Sequence, residues 1–425
     1  MHKIIIKNNY KPLVGNVRIN GAKNAILPII AASILCSSPV ILFNVPDITD
    51  VHSMSMLLTS LGAEVNFIRN RNYKANHTLE IDCSKINNHI ISSETASKVR
   101  TSILLLGPML SRFGKINTSF PGGCNIGTRL IDMHIKALEE MGAKIVVDEN
   151  NITATVEGKL QGKGISFERV SVGATQNIIM AAILAEGVTV IYNPAIEPEI
   201  CNLIEFLIKM GANITIQENK IIITGVEKLN GCSHKIIPDR IEAGTYSLAA
   251  IITDGELTLE EVSLPDMKCV VDQLKAIGAK IKPSKNSIII SRENCHVEPV
   301  NVSTNPYPCF PSDMQPQLTS VLCIANGVST IEENLYNNRF THVHELKKAG
   351  ANISIEENRA IITGTKKLCS SNLYANDLRS AAALVLASLV AEGATVINNC
   401  SHLYRGYEVM HEKLNMCGAN ISLLT

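Results

Sequence analysis

The sequence predicts an α/β protein of two similar domains, each assembled from three repeated helix-strand-helix-strand-strand units. Three observations lead to this prediction: the length of the chain, a Gly-Ala dipeptide that recurs at regular intervals, and alanine-rich segments that recur between the dipeptides. At 425 residues the chain is long enough for two or three domains with substantial cores. The repeat then favours two domains of three units each.

The Gly-Ala dipeptide closes a helical pattern and opens a strand in every copy. The dipeptides recur at a period of about 70 residues, and such self-similarity indicates a repeated architecture. Their glycines are Gly62, Gly142, Gly211, Gly278, Gly350 and Gly418. Glycine suits the left-handed turn that ends a helix. In most copies two alternating strands follow, as in ITIQENKIIITG, where Glu218-Asn219 fits the turn of a hairpin.

An alanine-rich or otherwise small-residue segment precedes a strand in each unit. AAILAEGVTVIYN and AALVLASLVAEGATVINN are nearly identical, and ILLLGPMLSRFGKINTSF is the looser copy. Helices without bulky side chains pack closely against one another or against a sheet. We therefore expect these helices inside each domain and the sheets outside.

The domains are predicted to meet near the segment VEKLNGCSHKIIPDRIEAGTY. This assigns residues 22–237 to the first domain and residues 1–21 and 238–425 to the second. The N-terminal strand precedes the first small-residue helix, so we expect it to pair with the second half. Two crossings would then connect the domains, which is a hinge arrangement suited to closing over a ligand.

Composition disfavours several classes of function. The formal net charge is zero and tryptophan is absent, so no nucleic-acid partner is predicted. The apolar run at the start has three residues and no run approaches a membrane span, so neither a signal peptide nor membrane insertion is predicted. The twelve cysteines contain no CxxC pair, which favours reduced thiols and a cytoplasmic location.

No metal or organic cofactor is predicted. His342 and His344 form an HxH pair, which would share one face of a strand. No Cys, Asp or Glu completes an evident metal site around them.

The stretch FPGGCNIGTR, residues 120–129, has the strongest chemical pattern. Gly122 and Gly123 allow the main chain to approach a ligand closely. Cys124 follows them, and Arg129 supplies planar donors for phosphate or carboxylate. A thiol beside a fixed cation is a candidate acid or nucleophile for an anionic substrate. The structural alternatives are a simple turn and a small buried cysteine.

Three polar segments of the first half are candidate ligand contacts. GAKNAILP places Lys23 and Asn24 at the start of a small-residue helix, where unpaired N–H groups attract anions. Arg100 precedes an apolar helix, and residues 171–173 lie in the small, polar segment RVSVGATQN. A solvated lysine, a surface arginine and a helix cap are the corresponding alternatives.

Asp313 in the second half has two possible roles. It follows NPYPCFPS, whose prolines stiffen an extended segment, and it precedes an apolar helix. It could cap that helix or, held rigidly at a ligand, act as a general base. Three arginines of the same half are candidate anion contacts: Arg339, Arg379 and Arg405.

Nine motifs, taken in order, closely resemble those of the UDP-N-acetylglucosamine 1-carboxyvinyltransferase family of enolpyruvyl transferases. They are GAKNAILP, PGGC-x-IG-x-R, SVGAT, PEI, PDRIEAGT, FPSDMQ-x-Q, NRF-x-H, DLR and RGYE. The resemblance covers essentially the whole chain. It implies the fold of that family, a two-domain inside-out α/β barrel with three units per domain and a double crossover.

The resemblance also implies an activity without any cofactor. The enolpyruvyl group of phosphoenolpyruvate would pass to the 3-hydroxyl of UDP-N-acetylglucosamine through a tetrahedral ketal that expels phosphate. This is the first committed step of peptidoglycan synthesis, and it makes these two compounds the expected partners. No protein partner is predicted.

Roles of individual residues follow from the resemblance. Cys124 matches the thiol that protonates the methylene carbon and that fosfomycin alkylates, and Asp313 matches the base for the sugar hydroxyl. The positions that match cations around phosphoenolpyruvate are Lys23, Arg129, Arg339, Arg379 and Arg405. The other substrate-binding positions are Asn24, Arg100, Leu130, Ile131, Asp132, Met133, Ser171, Val172, Gly173 and Leu335. Leu104 departs from a tryptophan found in some members, which affects packing rather than chemistry.

Two other functions share part of this pattern. The related 5-enolpyruvylshikimate 3-phosphate synthase is similar in fold and chemistry but lacks the cysteine loop, so PGGC disfavours it. A catalytically silent sugar-nucleotide sensor could use the same repeats. The presence of all five residues that the resemblance assigns to catalysis disfavours the sensor. They are Lys23, Cys124, Arg129, Asp313 and Arg405.

Overall fold

A computed structural model describes residues 3–8, 11–70, 77–93, 100–119, 131–148, 151–293 and 296–424. Within these residues the chain forms two compact units. We call the described residues between 21 and 237 the first domain, and the described residues between 3 and 20 and between 238 and 424 the second domain. Each has its own hydrophobic core of buried aliphatic side chains.

Helices and strands alternate along the described residues. The helices are α1 (Lys23–Ala32), α2 (Thr49–Leu61), α3 (Leu106–Phe113), α4 (Asp132–Glu140), α5 (Val172–Ala182), α6 (Pro198–Met210), α7 (Arg240–Ile252), α8 (Lys268–Ala276), α9 (Gln315–Leu322), α10 (Thr341–Lys348), α11 (Leu378–Val390) and α12 (Met410–Met416). Short 3₁₀ helices are Ser33–Leu35, Arg100–Leu105, Pro265–Met267, Ser312–Met314 and Cys400–Arg405.

The strands begin with two in the N-terminal segment. They are β1 (Lys3–Lys7), β2 (Val14–Arg18), β3 (Val40–Val45), β4 (Glu64–Ile68), β5 (His77–Asp82), β6 (Lys115–Ser119), β7 (Lys144–Val147), β8 (Asn151–Thr155), β9 (Gly164–Ser166), β10 (Val188–Tyr192), β11 (Asn213–Gln217), β12 (Lys220–Thr224), β13 (Ser233–Lys235), β14 (Glu256–Glu260), β15 (Ala279–Pro283), β16 (Ser287–Arg292), β17 (Asn301–Thr304), β18 (Val328–Glu333), β19 (Asn352–Glu356), β20 (Arg359–Thr363), β21 (Asn372–Tyr374), β22 (Ala394–Asn398) and β23 (Ile421–Leu424).

The small-residue helices lie in the interior, as the sequence predicts. In the first domain these are α1, α3 and α5, and in the second they are α7, α9 and α11. Every residue of α11 from Leu378 to Leu389 is buried. The three interior helices of the second domain pack against one another, which small side chains permit because they allow close approach of helix backbones.

The sheets of both domains follow one plan. The strand after an interior helix pairs antiparallel with one strand and, in five of the six described sheets, parallel with another. For example, β10 lies between β12 and β9, with Val190 opposite Ile222 and Gly164. Glu218, with φ of 48°, lies in the turn that joins β11 to β12. This confirms the predicted hairpin.

The six repeated glycines follow the amphipathic helices α2, α4, α6, α8, α10 and α12. Their φ angles lie between 87° and 107°, a left-handed region that residues with a Cβ rarely adopt. The repeat therefore records a recurrent helix end, as the sequence predicts.

The N-terminal segment is part of the second domain. Strand β1 lies between β22 and β23, and β2 pairs parallel with β14. Buried Lys413 reinforces the attachment, since its Nζ lies 2.8 Å from Oε1 of Glu242 and donates to the carbonyl of Arg18 at 2.9 Å. The other oxygen of Glu242 accepts from the backbone N–H of Asn20 at 2.8 Å. The buried ion pair between Lys413 and Glu242 thus holds the backbone of Arg18 and Asn20, where the chain leaves β2.

None of the helices in the described ranges has both the length and the apolar character needed to cross a membrane.

Candidate active site

The glycine-rich cysteine segment lies outside the described residues. Cys124, Arg129 and Leu130 therefore keep the status of predictions. Arg100 begins the 3₁₀ helix Arg100–Leu105, and its side chain is likewise outside the described part.

In the second domain, the side chain of Asp313 lies between two arginines. Its Oδ1 accepts from Nη2 of Arg339 at 2.6 Å, and its Oδ2 accepts from Nη2 of Arg379 at 2.8 Å. Only 3% and 5% of the two arginine side chains are exposed, against 30% for Asp313. Charge-assisted bonds of this kind are strong, so two buried cations compensate the charge of a partly exposed carboxylate.

Arg339 also fixes the backbone next to Asp313. Both Nε and Nη2 of Arg339 donate to the carbonyl of Ser312, at 3.3 and 3.2 Å. The hydroxyl of Ser312 donates to Oε2 of Glu333 at 2.9 Å, and Oε1 of Glu333 accepts from the backbone N–H of Leu335 at 3.0 Å. The exposed Leu335 is thus tied to the turn that carries Asp313.

The alternative role of Asp313 as a helix cap is wrong for the helix that follows. Asp313 lies within the 3₁₀ helix Ser312–Met314, and the residue at the N-cap position of α9 is Met314, which makes no side-chain capping bond. The carboxylate is instead directed to the arginines.

Arg379 is positioned by the start of α11. Asp377 caps that helix by accepting from the backbone N–H groups of Arg379 and Ser380 at 2.9 and 3.1 Å. Nη1 of Arg379 donates to the hydroxyl oxygen of Tyr407 at 3.3 Å. Burial is the largest single influence and acts to lower the pKa of Arg379, but the charge of Asp313, the hydrogen bond to Asp313 and the nearby Tyr407 and Asp239 together outweigh burial, so the pKa is raised. The guanidinium is therefore permanently charged.

A buried hydroxyl network supports the other side of Arg379. The oxygen of Tyr407 lies 2.8 Å from Oγ1 of Thr245, and Nε2 of Gln317 donates to it at 3.1 Å. Gln317 also donates to the backbone carbonyl of Asp313 at 3.0 Å. Burial raises the pKa of Tyr407, with Arg379 acting in the opposite direction. Tyr407 therefore stays neutral and serves as a hydrogen-bonding support.

Arg405 lies near this network in sequence, at the end of the 3₁₀ helix Cys400–Arg405 and two residues before Tyr407. It is half-buried.

The HxH pair lies on helix α10, so the prediction that its two histidines share one face of a strand is wrong. His342 is buried, whereas His344 is exposed. Burial lowers the pKa of His342 to about 4, with Asp377 opposing the shift. In the ranges that the structure describes, no group of three or more Cys, His, Asp or Glu side chains is arranged to hold a metal ion.

In the first domain, Lys23 is the first residue of α1 and pairs with Asp50. The Nζ of Lys23 lies 2.8 Å from Oδ2 of Asp50, with 13% and 5% of the side chains exposed. Ala22, at the N-cap position, makes no side-chain capping bond to the first turn. Asn24 follows Lys23 and is half-buried. The helix start and the lysine together favour an anion, and Asp50 is the carboxylate with which such an anion would compete.

The predicted sugar-nucleotide residues lie at the starts of two neighbouring helices. Ile131 precedes α4, and Asp132 and Met133 open it. Ser171 caps α5 by accepting from the N–H of Ala174 at 3.3 Å, and Val172 and Gly173 begin that helix. The helix-cap alternative for Ser171 is therefore confirmed. Asp132 forms an exposed ion pair with Arg169 at 3.1 Å.

Two buried polar residues that the sequence analysis missed connect these segments. Nδ1 of His134 on α4 lies 3.0 Å from Nδ2 of Asn177 on α5. Nδ2 of Asn177 also donates to the carbonyl of Ile103 at 3.1 Å, and its Oδ1 accepts from the N–H of Gly107 at 2.6 Å. Asn177 thus joins α5 to α4 and to the 3₁₀ helix that begins at Arg100. An asparagine within the apolar run of α5 was the available signal.

Gly173 lies where this packing leaves little room for a side chain. A Cβ at this position would lie 3.2 Å from the ring of His134, which is tighter than ordinary contact. The start of α5 therefore approaches His134 closely because residue 173 has no side chain.

Comparison with known proteins identifies relatives along the full chain. A sequence profile of the family described as EPSP synthase (3-phosphoshikimate 1-carboxyvinyltransferase) matches residues 7–414. The chain is 68% identical over 423 residues to UDP-N-acetylglucosamine 1-carboxyvinyltransferase of Wolbachia sp. subsp. Drosophila simulans (strain wRi), covering all of both chains. It is 46% identical over 420 residues to the enzyme so named from Anaplasma marginale (strain St. Maries), covering 99% of this chain and 98% of that one.

Solved structures with the same fold are more distant in sequence. The enolpyruvyl transferase NikO from Streptomyces tendae superposes with a TM-score of 0.90 at 22% identity, covering 100% of this chain and 99% of that one. EPSP synthase from Acinetobacter baumannii superposes with a TM-score of 0.77 at 18% identity, covering 100% of both chains. These likenesses confirm the predicted fold class.

Proposed function

The chain belongs to the EPSP synthase family of enolpyruvyl transferases, and from this premise we propose that it acts on phosphoenolpyruvate and UDP-N-acetylglucosamine. The enolpyruvyl group passes to the 3-hydroxyl of the sugar, phosphate leaves, and the product enters peptidoglycan synthesis. The observation that carries the choice of acceptor is the full-length identity of 68% and 46% to enzymes named for it. The shikimate enzyme of known structure is only 18% identical.

The chemistry requires both an acid and a base. An enol phosphate does not react with a neutral alcohol, so one group must remove the hydroxyl proton while another protonates the methylene carbon, C3. Positive charge then develops at C2, where the sugar oxygen attacks to give a tetrahedral ketal. Collapse of the ketal expels phosphate, and C3 loses a proton, which restores the carbon–carbon double bond in the enol ether product. Each proton transfer by a positioned side chain contributes about 10²–10⁴-fold.

Asp313 is the proposed base and Cys124 the proposed acid. Support for Asp313 comes from its partly exposed carboxylate on a turn fixed through Ser312 and Glu333. Support for Cys124 is the PGGC motif in the sequence.

Arg339 and Arg379 are proposed to bind the carboxylate of phosphoenolpyruvate. Both already hold a carboxylate, that of Asp313, at 2.6 and 2.8 Å. A substrate carboxylate with the same charge competes for the same donors. Asp313 then gives up at least one arginine contact, and because a cation stabilises the ionised form, losing it makes Asp313 a stronger base. In this proposal substrate binding itself activates the base.

The remaining predicted residues are assigned to phosphate and to the sugar nucleotide. Lys23, Arg129 and Arg405 are the proposed cations for the departing phosphate. The proposed sugar-nucleotide contacts are Asn24, Arg100, Leu130, Ile131, Asp132, Met133, Ser171, Val172, Gly173 and Leu335.

A cytoplasmic location is proposed because the cysteines of the described residues are all free thiols, as expected in a reducing compartment.

Release of inorganic phosphate from phosphoenolpyruvate tests the proposal. Purified protein is assayed with UDP-N-acetylglucosamine and, separately, with shikimate 3-phosphate, and Asp313→Asn is the matched inactive control. Release only with the sugar nucleotide, lost in the variant, supports the proposal. Release only with shikimate 3-phosphate identifies the related transferase, and tight nucleotide binding without phosphate release identifies a silent sensor.

A further inference from the structure

The second domain contains a cavity of about 420 Å³ whose lining residues include two cysteines. Cys269 is the second residue of α8, and Cys309 lies in the segment between β17 and the 3₁₀ helix of Asp313. Most other lining groups are polar or charged, among them Lys268 and Asp272. The cavity is separate from the cluster formed by Asp313 and its two arginines, and the proposed reaction uses neither thiol.

The two thiols differ in accessibility. Cys309 is exposed, whereas Cys269 is half-buried. Burial raises the pKa of Cys269, and the nearby charges of Cys309 and Asp272 add to the rise while Arg240 opposes it. An oxidant in solution therefore reaches Cys309 first. Cys269 stays protonated, lines the same cavity and is placed to react second.

We propose that Cys269 and Cys309 form a thiol–disulfide exchange site that reacts with low-molecular-weight disulfides such as glutathione disulfide. The thiolate of Cys309 attacks one sulfur of the disulfide, a mixed disulfide forms, and one molecule of the small thiol leaves as its thiolate. Cys269 then loses its proton to solvent and attacks the sulfur of Cys309, and the second small thiolate leaves. The protein loses two hydrogens and the small disulfide is reduced to two thiols.

The surroundings of Cys309 allow the second step. A disulfide requires the two Cβ atoms to approach to about 4 Å. Cys309 belongs to neither a helix nor a strand, and its backbone N–H donates to the carbonyl of Pro306 at 3.1 Å within a short turn. Such a turn can shift without breaking a strand ladder, and the cavity beside it provides the space.

Closing this bond would affect the segment that carries Asp313. The turn is anchored on both sides of Cys309 by the bridge between Thr304 and Phe310, and Phe310 is 3% exposed. Asp313 follows Cys309 by four residues. A covalent link from Cys309 to α8 therefore constrains the approach to Asp313, and turnover of the oxidised protein should fall.

Peptide mapping after mild oxidation tests the pairing. The full-length protein is incubated with glutathione disulfide, remaining thiols are alkylated, and the digest is examined by mass spectrometry. In the wild type we expect a peptide pair joined through Cys269 and Cys309. In Cys269→Ser we expect a stable glutathione adduct on Cys309, because the resolving thiol is missing. In Cys309→Ser we expect Cys269 to remain largely alkylated rather than glutathionylated.

Two outcomes would overturn the proposal. A stable glutathione adduct on Cys309 of the wild type, with Cys269 still alkylated, would mean that the two thiols do not exchange. Glutathione adducts that form at equal rates on Cys309 and on the exposed Cys369, without any disulfide between Cys269 and Cys309, would mean that Cys309 is an ordinary surface thiol.

An activity comparison separates this site from the predicted catalytic cysteine. Wild type, Cys309→Ser and the control Cys369→Ser are oxidised in parallel, then treated with dithiothreitol. Oxidation of Cys124 lowers activity in all three proteins. An additional several-fold loss in the wild type and in Cys369→Ser, absent from Cys309→Ser and reversed by dithiothreitol, supports the effect on turnover. Equal losses in all three would refute it.

Discussion

Oδ2 of Asp313 lies 2.8 Å from Nη2 of Arg379, although 66 residues separate the two in sequence. The arginine is buried and the aspartate is partly exposed, so the contact connects the interior of the second domain to its surface. In this arrangement the proposed base is neutralised by the cations proposed to bind the substrate carboxylate. The role of Asp313 therefore depends on what displaces this contact.

Asp313→Asn should lower kcat by about 10²–10⁴-fold, because an amide cannot accept the hydroxyl proton. The Michaelis constant for the sugar nucleotide should change much less, since the lost interaction belongs mainly to the transition state. Steady-state phosphate release with each substrate varied measures both constants. A folded variant with near-normal kcat would exclude Asp313 as the base. The next candidates would be Glu197 and Glu199, two carboxylates at the start of α6.

Arg379→Lys should raise the Michaelis constant for phosphoenolpyruvate at least tenfold, because an ammonium cannot reproduce the planar fork of donors that holds a carboxylate. Hydrogen-bond partners of the buried Arg379 left unsatisfied by lysine should also lower the free energy of unfolding by about 1–3 kcal/mol. Arg359→Lys is the matched control: its pair with Glu332 spans 3.8 Å and its side chain is 52% exposed. If both variants kept the wild-type constant for phosphoenolpyruvate, Arg379 would have only a structural role.

Asp50→Asn should tighten binding of inorganic phosphate severalfold. The substitution removes the carboxylate 2.8 Å from the ammonium of Lys23, so a bound anion no longer competes with it for that cation. Product inhibition by phosphate and calorimetric titration measure the effect. Asp47→Asn, which removes the partner of Arg69 and His52 in the same domain, should leave phosphate binding unchanged. Weaker phosphate binding in Asp50→Asn would contradict the assignment of Lys23.

His234 should make stability depend on pH between about 6.5 and 4. The buried ring lies 2.9 Å from Nδ2 of Asn202 and accepts from Nζ of Lys209 at 3.2 Å, and burial followed by the charge of Lys209 lowers its pKa to about 4. The unfolded chain takes up a proton near pH 6.5, whereas the folded chain does so only near 4. Stability is therefore complete above pH 6.5 and falls as the pH decreases, by at most about 3 kcal/mol for this residue.

Denaturant unfolding of wild type and His234→Gln at pH 7, 5.5 and 4.5 measures this share of the pH dependence. The variant should lose less stability than the wild type between pH 7 and 4.5. His344→Gln, at an exposed position of α10, is the control and should retain the wild-type slope. Parallel curves for wild type and His234→Gln would show that His234 is protonated at its ordinary pH in the folded protein.

The sequence by itself determined the repeated architecture of this protein. The interior position of the small-residue helices, the left-handed glycine after each amphipathic helix and the hairpin at Glu218 follow from side-chain size and local backbone preference. Each depends on residues that are neighbours along the chain, so a pattern of a few residues is enough to predict it. The HxH pair is the exception, because two residues were too few to distinguish a strand from helix α10.

Only the tertiary structure decided which charged groups meet. Local sequence allowed Asp313 to be a cap or a base, and the packing of Arg339 and Arg379 from two other segments directs its carboxylate away from the helix. Asp50 beside Lys23 and Asn177 beside His134 were likewise not predicted. The physical reason is that such pairs form between elements brought together by the burial of their apolar faces, and spacing along the chain carries no record of that contact.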